Sequence, residues 1–267
     1  MQNALRIFLA ALTLTILIVG ISYAYTPSVN VPWQQLQKGF EYRSIPLRTY
    51  EKGVKPLMYQ VRIDPRRYQF HMVVGKDYGQ TLTTVSTLRK KVNGLFAINA
   101  SFFDEHCELL GYHSQGARVI NPNIAAGNVL TGILVITPTY SRVWNRDDFS
   151  CSQAEVAFQT GPRLIVDGKP TQGLHGAPTR VSGVAIDKQQ RLILYATSAD
   201  GRLTLPQVQS VLMDRVERGG VQPYAAINLD GGSSTGFSLA TDALSMECPS
   251  MALVASALAV TPRPNVK

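Results

Sequence analysis

Short apolar runs closed by Asn, Gly or Pro dominate the hydrophobic pattern of this chain, and few of them carry helical spacing. Short apolar runs bounded by turn residues read as buried strands. They fall at 57–64, 69–74, 95–98, 132–136, 156–159, 163–166, 182–186, 192–197, 224–227 and 252–260, the first two as a pair hinged at Pro65-Arg66-Arg67. Two segments repeat with a helical period instead. Over 83–92, Thr83 or Thr84 offers a cap, Val85, Leu88 and Val92 share a face, and Asn93-Gly94 is the stop. From Leu205-Pro206-Gln207, the residues Val208, Val211, Leu212 and Val216 recur at helical spacing as far as Gly219-Gly220. Residues 25–45 are polar and Pro-spotted, which predicts an irregular lead-in, and 104–128 hold turn residues with little period, as a loop over a site would. Many strands and two or three helices predict an α+β fold: a mixed, largely antiparallel sheet with a few packed helices in a single domain.

The ends of the chain set its expected location. Arg6 precedes an uncharged apolar stretch from Ile7 to Ile21, followed by Ser22-Tyr23-Ala24, a small-x-small cleavage pattern. This predicts a secretory signal over 1–24. An uncleaved inner-membrane anchor over 7–24 is the rival, since a span needs about 20 apolar residues. Either way the rest of the chain is expected to be exported, periplasmic or secreted. A lead-in over 25–56, a main domain over 57–261 and a tail over 262–267 complete the division.

Hydrophobic residues make up 45% of the 267 residues and charged residues 16%, which supplies a full core and excludes a disordered or coiled-coil chain. The net charge is +8, yet the basic residues are scattered, with Pro65-Arg66-Arg67 and Arg89-Lys90-Lys91 the only clusters. Without aromatic-interleaved or zinc-knuckle motifs, no nucleic-acid partner is expected. Cys107, Cys151 and Cys248 allow one disulfide in any of three pairings, and the spacing does not choose.

Two loops carry the chemistry. The run 224–227 ends in Asn228-Leu229-Asp230-Gly231-Gly232-Ser233-Ser234-Thr235, and the run 95–98 ends in Asn99-Ala100-Ser101-Phe102-Phe103-Asp104. One Asp-Gly is enough for a turn. The paired glycines, the flanking Asn and the hydroxyl cluster exceed that need, and a Gly-rich turn frees backbone N–H groups for a ligand. The pattern Gly232-Ser233-Ser234-Thr235-Gly236 matches a nucleophile elbow, but no His follows Ser234, so a serine hydrolase is rejected.

These motifs, with Thr160-Gly161-Pro162-Arg163-Leu164 and Arg180-Val181-Ser182-Gly183 between them, resemble the phosphodiester glycosidase domain family over roughly residues 57–260. The chain departs from it at Asn99-Ala100-Ser101, where many members carry Asn-Gly-Gly or Asn-Ala-Gly. The departure bears on substrate more than on fold.

The resemblance implies an exported hydrolase acting on a sugar-1-phosphodiester in envelope or exopolysaccharide metabolism. Asp230 is then the leading carboxylate and Asp104 its candidate partner, with Glu105 more solvated. Asn99 and Asn228 would hold sugar hydroxyls or an N-acyl group. Arg180, and after it Arg163, would hold phosphate through the guanidinium fork. Gly231, Gly232, Ser233 and Ser234 would shape the pocket, and His175 in its Gly-flanked loop is a candidate acid or base. Asn99, Asp104, Asn228 and Asp230 are oxygen ligands that suit Ca²⁺ or Mg²⁺, which leaves a divalent cation open. The alternatives are a non-catalytic polysaccharide-binding or assembly factor and, after it, a metal-dependent phosphodiesterase.

Overall fold

The computed structural model describes residues 31–48, 53–150 and 154–264. The signal or anchor and Cys151 lie outside the described residues. Three sheets share one core, and every strand pair in them is antiparallel. The largest runs β1 (Gln34–Gln37), β2 (Phe40–Pro46), β3 (Leu57–Ile63), β14 (Leu192–Thr197), β13 (Ser182–Ile186), β15 (Ala225–Asn228), β11 (Arg163–Val166), β12 (Lys169–Pro170). The second runs β7 (Arg118–Asn121), β6 (His113–Gln115), β10 (Val156–Thr160), β8 (Gly132–Ile136), β9 (Ser141–Asn145). The third runs β17 (Ser245–Cys248), β16 (Phe237–Ala240), β5 (Phe96–Asn99), β18 (Ser256–Pro262), β4 (Tyr68–Val74).

The central core draws one face from each sheet: Val61, Val184, Ile186 and Leu194 from the first, Leu134, Val156 and Phe158 from the second, Phe70, Phe96, Ile98 and Leu258 from the third. Outer faces are covered too. Ile193, Tyr195 and Ala185 pack under helix α2 (Leu205–Met213), and Ala97, Ala257 and Ala259 under helix α1 (Val85–Lys91). Strands covered on both faces need apolar residues at every position, which is why β14, Leu-Ile-Leu-Tyr-Ala-Thr, reads as a run without alternation.

The α+β expectation is corrected: the protein is predominantly β, with two short helices and no mixed sheet among the described residues. Thr84 caps α1, accepting from Thr87 N at 3.1 Å, as the sequence suggests. In α2, Thr204 and Gln207 form a capping box, but the helix ends at Met213, short of the expected reach, and Val216 is exposed. Beyond it, the Gly219-Gly220 turn is held from far away, where the buried Arg43 donates to Gly219 O (2.7 Å) and Gly220 O (3.1 Å). That arginine belongs to β2, in the stretch expected to be irregular; β1 and β2 instead extend the first sheet. The runs 57–64 and 69–74 are strands but not partners, since β3 pairs β2 and β14 while β4 pairs β18. The expected loop 104–128 contains the β6–β7 hairpin.

Gly183, in the Arg180-to-Gly183 motif, lies on β13 where an added Cβ would overlap the buried Tyr195 hydroxyl and come 2.8 Å from Ile227 O. Gly183→Ala is therefore expected to lower unfolding free energy by about 1–3 kcal/mol through overpacking. An unchanged urea midpoint would contradict this.

Candidate active site

The Asn-terminated strands β5 and β15 finish at the same end of the molecule, and the chain after each is bonded to the other. Asp230 N donates to Ala100 O at 3.1 Å. The Asn99 amide closes the junction: its Nδ2 donates to Asp230 O and its Oδ1 accepts from Gly236 N at 3.1 Å. Ser182 Oγ donates to Asp230 O at 3.2 Å, and Gly232 N to Arg180 O at 2.8 Å. From the second sheet, Thr160 Oγ1 donates to Asn228 O at 2.9 Å. Loop 229–236 is thus held by strands of the first and third sheets, and the second sheet holds the end of β15 that leads into it. Gly232 has φ +61°, a left-handed conformation that glycine adopts freely.

Asp230 is half-buried on this loop. Burial raises its carboxyl to about 6, and a hydrogen bond with Ser234 opposes the rise. Desolvation penalises the charged form, so the group titrates close to neutrality, as an acid–base catalyst requires. Ser234 is buried beside it and Ser233 is exposed.

The other predicted site residues divide. Asn228 Nδ2 donates to Gly161 O (3.3 Å) and Leu229 O (2.6 Å), while its Oδ1 is buried without a partner. Asn99 is 1% exposed, with both ends of its amide spent on the junction. Arg180 is also 1% exposed, with Nη1 on Pro249 O (3.2 Å), Nη2 on Cys248 Sγ (3.2 Å) and Nε unpartnered. Among the described residues no carboxylate pairs with it. Arg163 has a buried, unpartnered Nε on β11. The Asp104 carboxylate is turned to its own loop, accepting from His106 N and Glu108 N at 2.9 Å each. His175 is exposed in its loop. Cys107 and Cys248 are free thiols, and the Cys107–Cys248 pairing is not formed.

No described cluster of three His, Cys, Asp or Glu side chains could hold a metal. Of the four oxygen ligands proposed from sequence, the Asn99 amide oxygen and one Asp104 carboxylate oxygen already accept from backbone N–H groups.

Sequence reasoning missed a polar hub beneath the first loop. His113, fully buried, meets Gly111 O through Nδ1 (2.8 Å) and Ser101 Oγ through Nε2 (2.6 Å). A carbonyl only accepts, so Nδ1 carries the proton and Nε2 accepts from Ser101. Burial lowers this imidazole to about 4, keeping it neutral. Ser101 Oγ also lies 3.1 Å from Gln159 O, and Gln159 anchors Ala125 and Leu130. Nothing in the spacing of Ser101, His113 and Gln159 marks them as partners, although Ser101 stands where the family motif departs.

The antiparallel β architecture thus carries a desolvated carboxylate on a glycine turn at converging strand ends. The family model for phosphodiester glycosidases matches residues 93–261, more than half of the sequence, and the chain belongs to that family. A comparison with curated proteins finds no match. Among solved structures, the catalytic domain of zebrafish N-acetylglucosamine-1-phosphodiester alpha-N-acetylglucosaminidase, auto-inhibited by pro-peptide, aligns with TM-score 0.62 at 16% identity, covering 88% of this chain and 89% of that one. A hypothetical protein from Synechocystis aligns with TM-score 0.60 at 15% identity over 90% of this chain, which spans 64% of that protein's length. A proposed exported protein from Burkholderia pseudomallei K96243 aligns with TM-score 0.50 at 11% identity, covering 78% of this chain and 74% of that one. At these identities the likeness is one of fold.

Proposed function

We propose that this protein is an exported hydrolase that cleaves a glycosyl phosphodiester between sugar and phosphate, with Asp230 as the working carboxylate. The observation that carries the reading is Asp230 itself: half-buried, raised to about 6, and placed where three sheets meet. Phosphate leaves without needing strong protonation, so a site with one available carboxylate suits this bond better than an ordinary glycoside. Asp230 would direct water or attack the anomeric carbon. Ser233 and the Gly231-Gly232 backbone would contact substrate, Asn228 would border it, and Asn99 would act as a brace. Arg180 would act through its positive field and its hold on Cys248 and Pro249, because its guanidinium is covered. Asp104, Arg163 and His175 are left at the margin. The envelope or exopolysaccharide role is the one the family resemblance implies, and the export expected from the apolar stretch 7–21 would accord with it.

The burial of Asn99 and Arg180 favours one rival, a non-catalytic polysaccharide-binding factor on the same scaffold. Release of free sugar from a panel of sugar-1-phosphodiesters separates the two. Turnover with oxygen from labelled water on the sugar supports the glycosidase. Label on the phosphate together with loss of activity in EDTA would favour a metal-dependent phosphodiesterase, and binding without turnover the binding factor.

A further inference from the structure

Ten large hydrophobic side chains are exposed among the described residues, and their placement is uneven. Five of them, Leu110, Ile124, Val129, Met251 and Leu253, stand on three loops that leave the site end of the sheets. Single exposed aliphatics are ordinary; what matters is what these loops are attached to. Loop 100–112 joins the end of β5 to the start of β6, and Leu110 N donates to Phe102 O at 2.9 Å. Loop 122–131 joins β7 to β8; Gln159 holds it at Ala125 and Leu130, and a Cβ on Gly161 would overlap the Val129 carbonyl. Loop 249–255 joins β17 to β18, and both Met251 N (2.8 Å) and Ala252 N (2.9 Å) donate to Ser233 O, three residues from Asp230. By contrast Tyr140, in the β8–β9 turn, and Tyr224, ahead of β15, stand at the opposite end and carry hydroxyls.

Composition sharpens the contrast. Neither 122–131 nor 249–255 contains a charged residue, and Met251 is 72% exposed. A hydrophilic aglycone, such as a second sugar, would be met mainly by hydrogen-bonding side chains; apart from Asn123, Asn128 and the half-buried Ser250, the exposed side chains of these rims are aliphatic. We infer that the group esterified to the phosphate is an apolar chain, received by the aliphatic rim formed by Ile124, Val129, Met251 and their neighbours beside Asp230. This rests on the hydrolase reading and narrows its substrate to lipid-linked sugar phosphodiesters. The 249–255 part of the rim is bonded to the Asp230 loop at Ser233, and the 122–131 part lies against Gly161, whose carbonyl accepts from Asn228 Nδ2 at 3.3 Å, so both parts border the loop that carries Asp230.

The test uses the full chain and two esters of the same sugar-1-phosphate, methyl and decyl, below the concentration at which the decyl ester forms micelles. The parent is expected to favour the decyl ester by about tenfold or more in kcat/KM, mostly through KM, since each buried methylene contributes substantially. In the double variant Val129→Asp, Met251→Asp the ratio should fall to about one, while Val216→Asp, on the turn after α2, should preserve the parental ratio. Both changes are at exposed positions, and a thermal melt checks that folding is kept. Equal kcat/KM for the two esters in the parent, or a ratio that survives the double variant, overturns the inference and leaves the hydrolase reading standing. If the substitutions instead convert a dimer to a monomer with the ratio unchanged, the rim is a contact between copies and the inference is wrong. If neither ester nor any other panel member is turned over, the hydrolase reading fails and takes this inference with it.

Discussion

Asp230→Asn is expected to lower turnover by about 10²–10⁴-fold while raising stability at neutral pH. A folded-state carboxyl at about 6, against an ordinary value near 3.8, binds protons more tightly than in the unfolded chain. Its contribution to stability is therefore complete below pH 3.8 and is lost as pH rises through 6. At pH 7.5 the ionised, desolvated carboxylate costs the fold about 1–2 kcal/mol once its partial exposure is discounted. The amide removes that cost and keeps the shape. His113 slopes the other way: its folded value of about 4 lies below the ordinary 6.5, so stability is present above 6.5 and lost as pH falls through 4. Between pH 4 and 6 the two groups oppose each other in the parent. With Asp230 replaced, only the His113 slope remains, and the variant should lose stability more steeply on acidification. Urea unfolding of both proteins at pH 7.5 and 4.5 measures this. A variant less stable than the parent at pH 7.5 would make Asp230 part of the scaffold and remove the basis of the proposed function.

The two site loops are legible in sequence because each is a local signal: an apolar run, an Asn that ends it, then a carboxylate, with a Gly-Gly turn in one case. Roles within them are not, because they depend on partners distant in the chain. Asn99 is spent on Gly236, which lies 137 residues later, and Arg180 is covered by Cys248 and Pro249. Asp104 shows the reverse: its carboxylate closes a turn on residues two and four ahead, a local arrangement that a functional reading passes over. The fold class is legible only in part, its largely antiparallel strands but not its predominantly β character, for a related reason. Strands buried on both faces lose their alternation, so apolar runs reveal that strands exist but not which ones pair. The polar strands β2 and β9 escape notice altogether; Arg43 on β2 is buried because it satisfies carbonyls at 219 and 220.

The second large effect is expected at Asn99. Among the described residues, its amide is the one side chain that donates to the backbone of the Asp230 loop at one end and accepts from it at the other. Asn99→Leu keeps the volume and removes both bonds, stranding the Gly236 N–H in a site that is 1% exposed. An unsatisfied buried group costs about 1–3 kcal/mol, so with the second bond also lost the variant should be destabilised by about 2–4 kcal/mol. Asn99→Asp should be at least as harmful, because a carboxylate cannot donate to Asp230 O and would be buried beside it unpaired. Activity falls in both, with the loss in kcat, since the loop that aims Asp230 is no longer fixed. A sugar-binding Asn99 predicts something different: KM rises, kcat is kept, and the urea midpoint stays in place. Measured together, midpoint and kinetic constants therefore decide between an amide that holds the site together and one that holds the substrate, and a stable variant with a raised KM would overturn the brace.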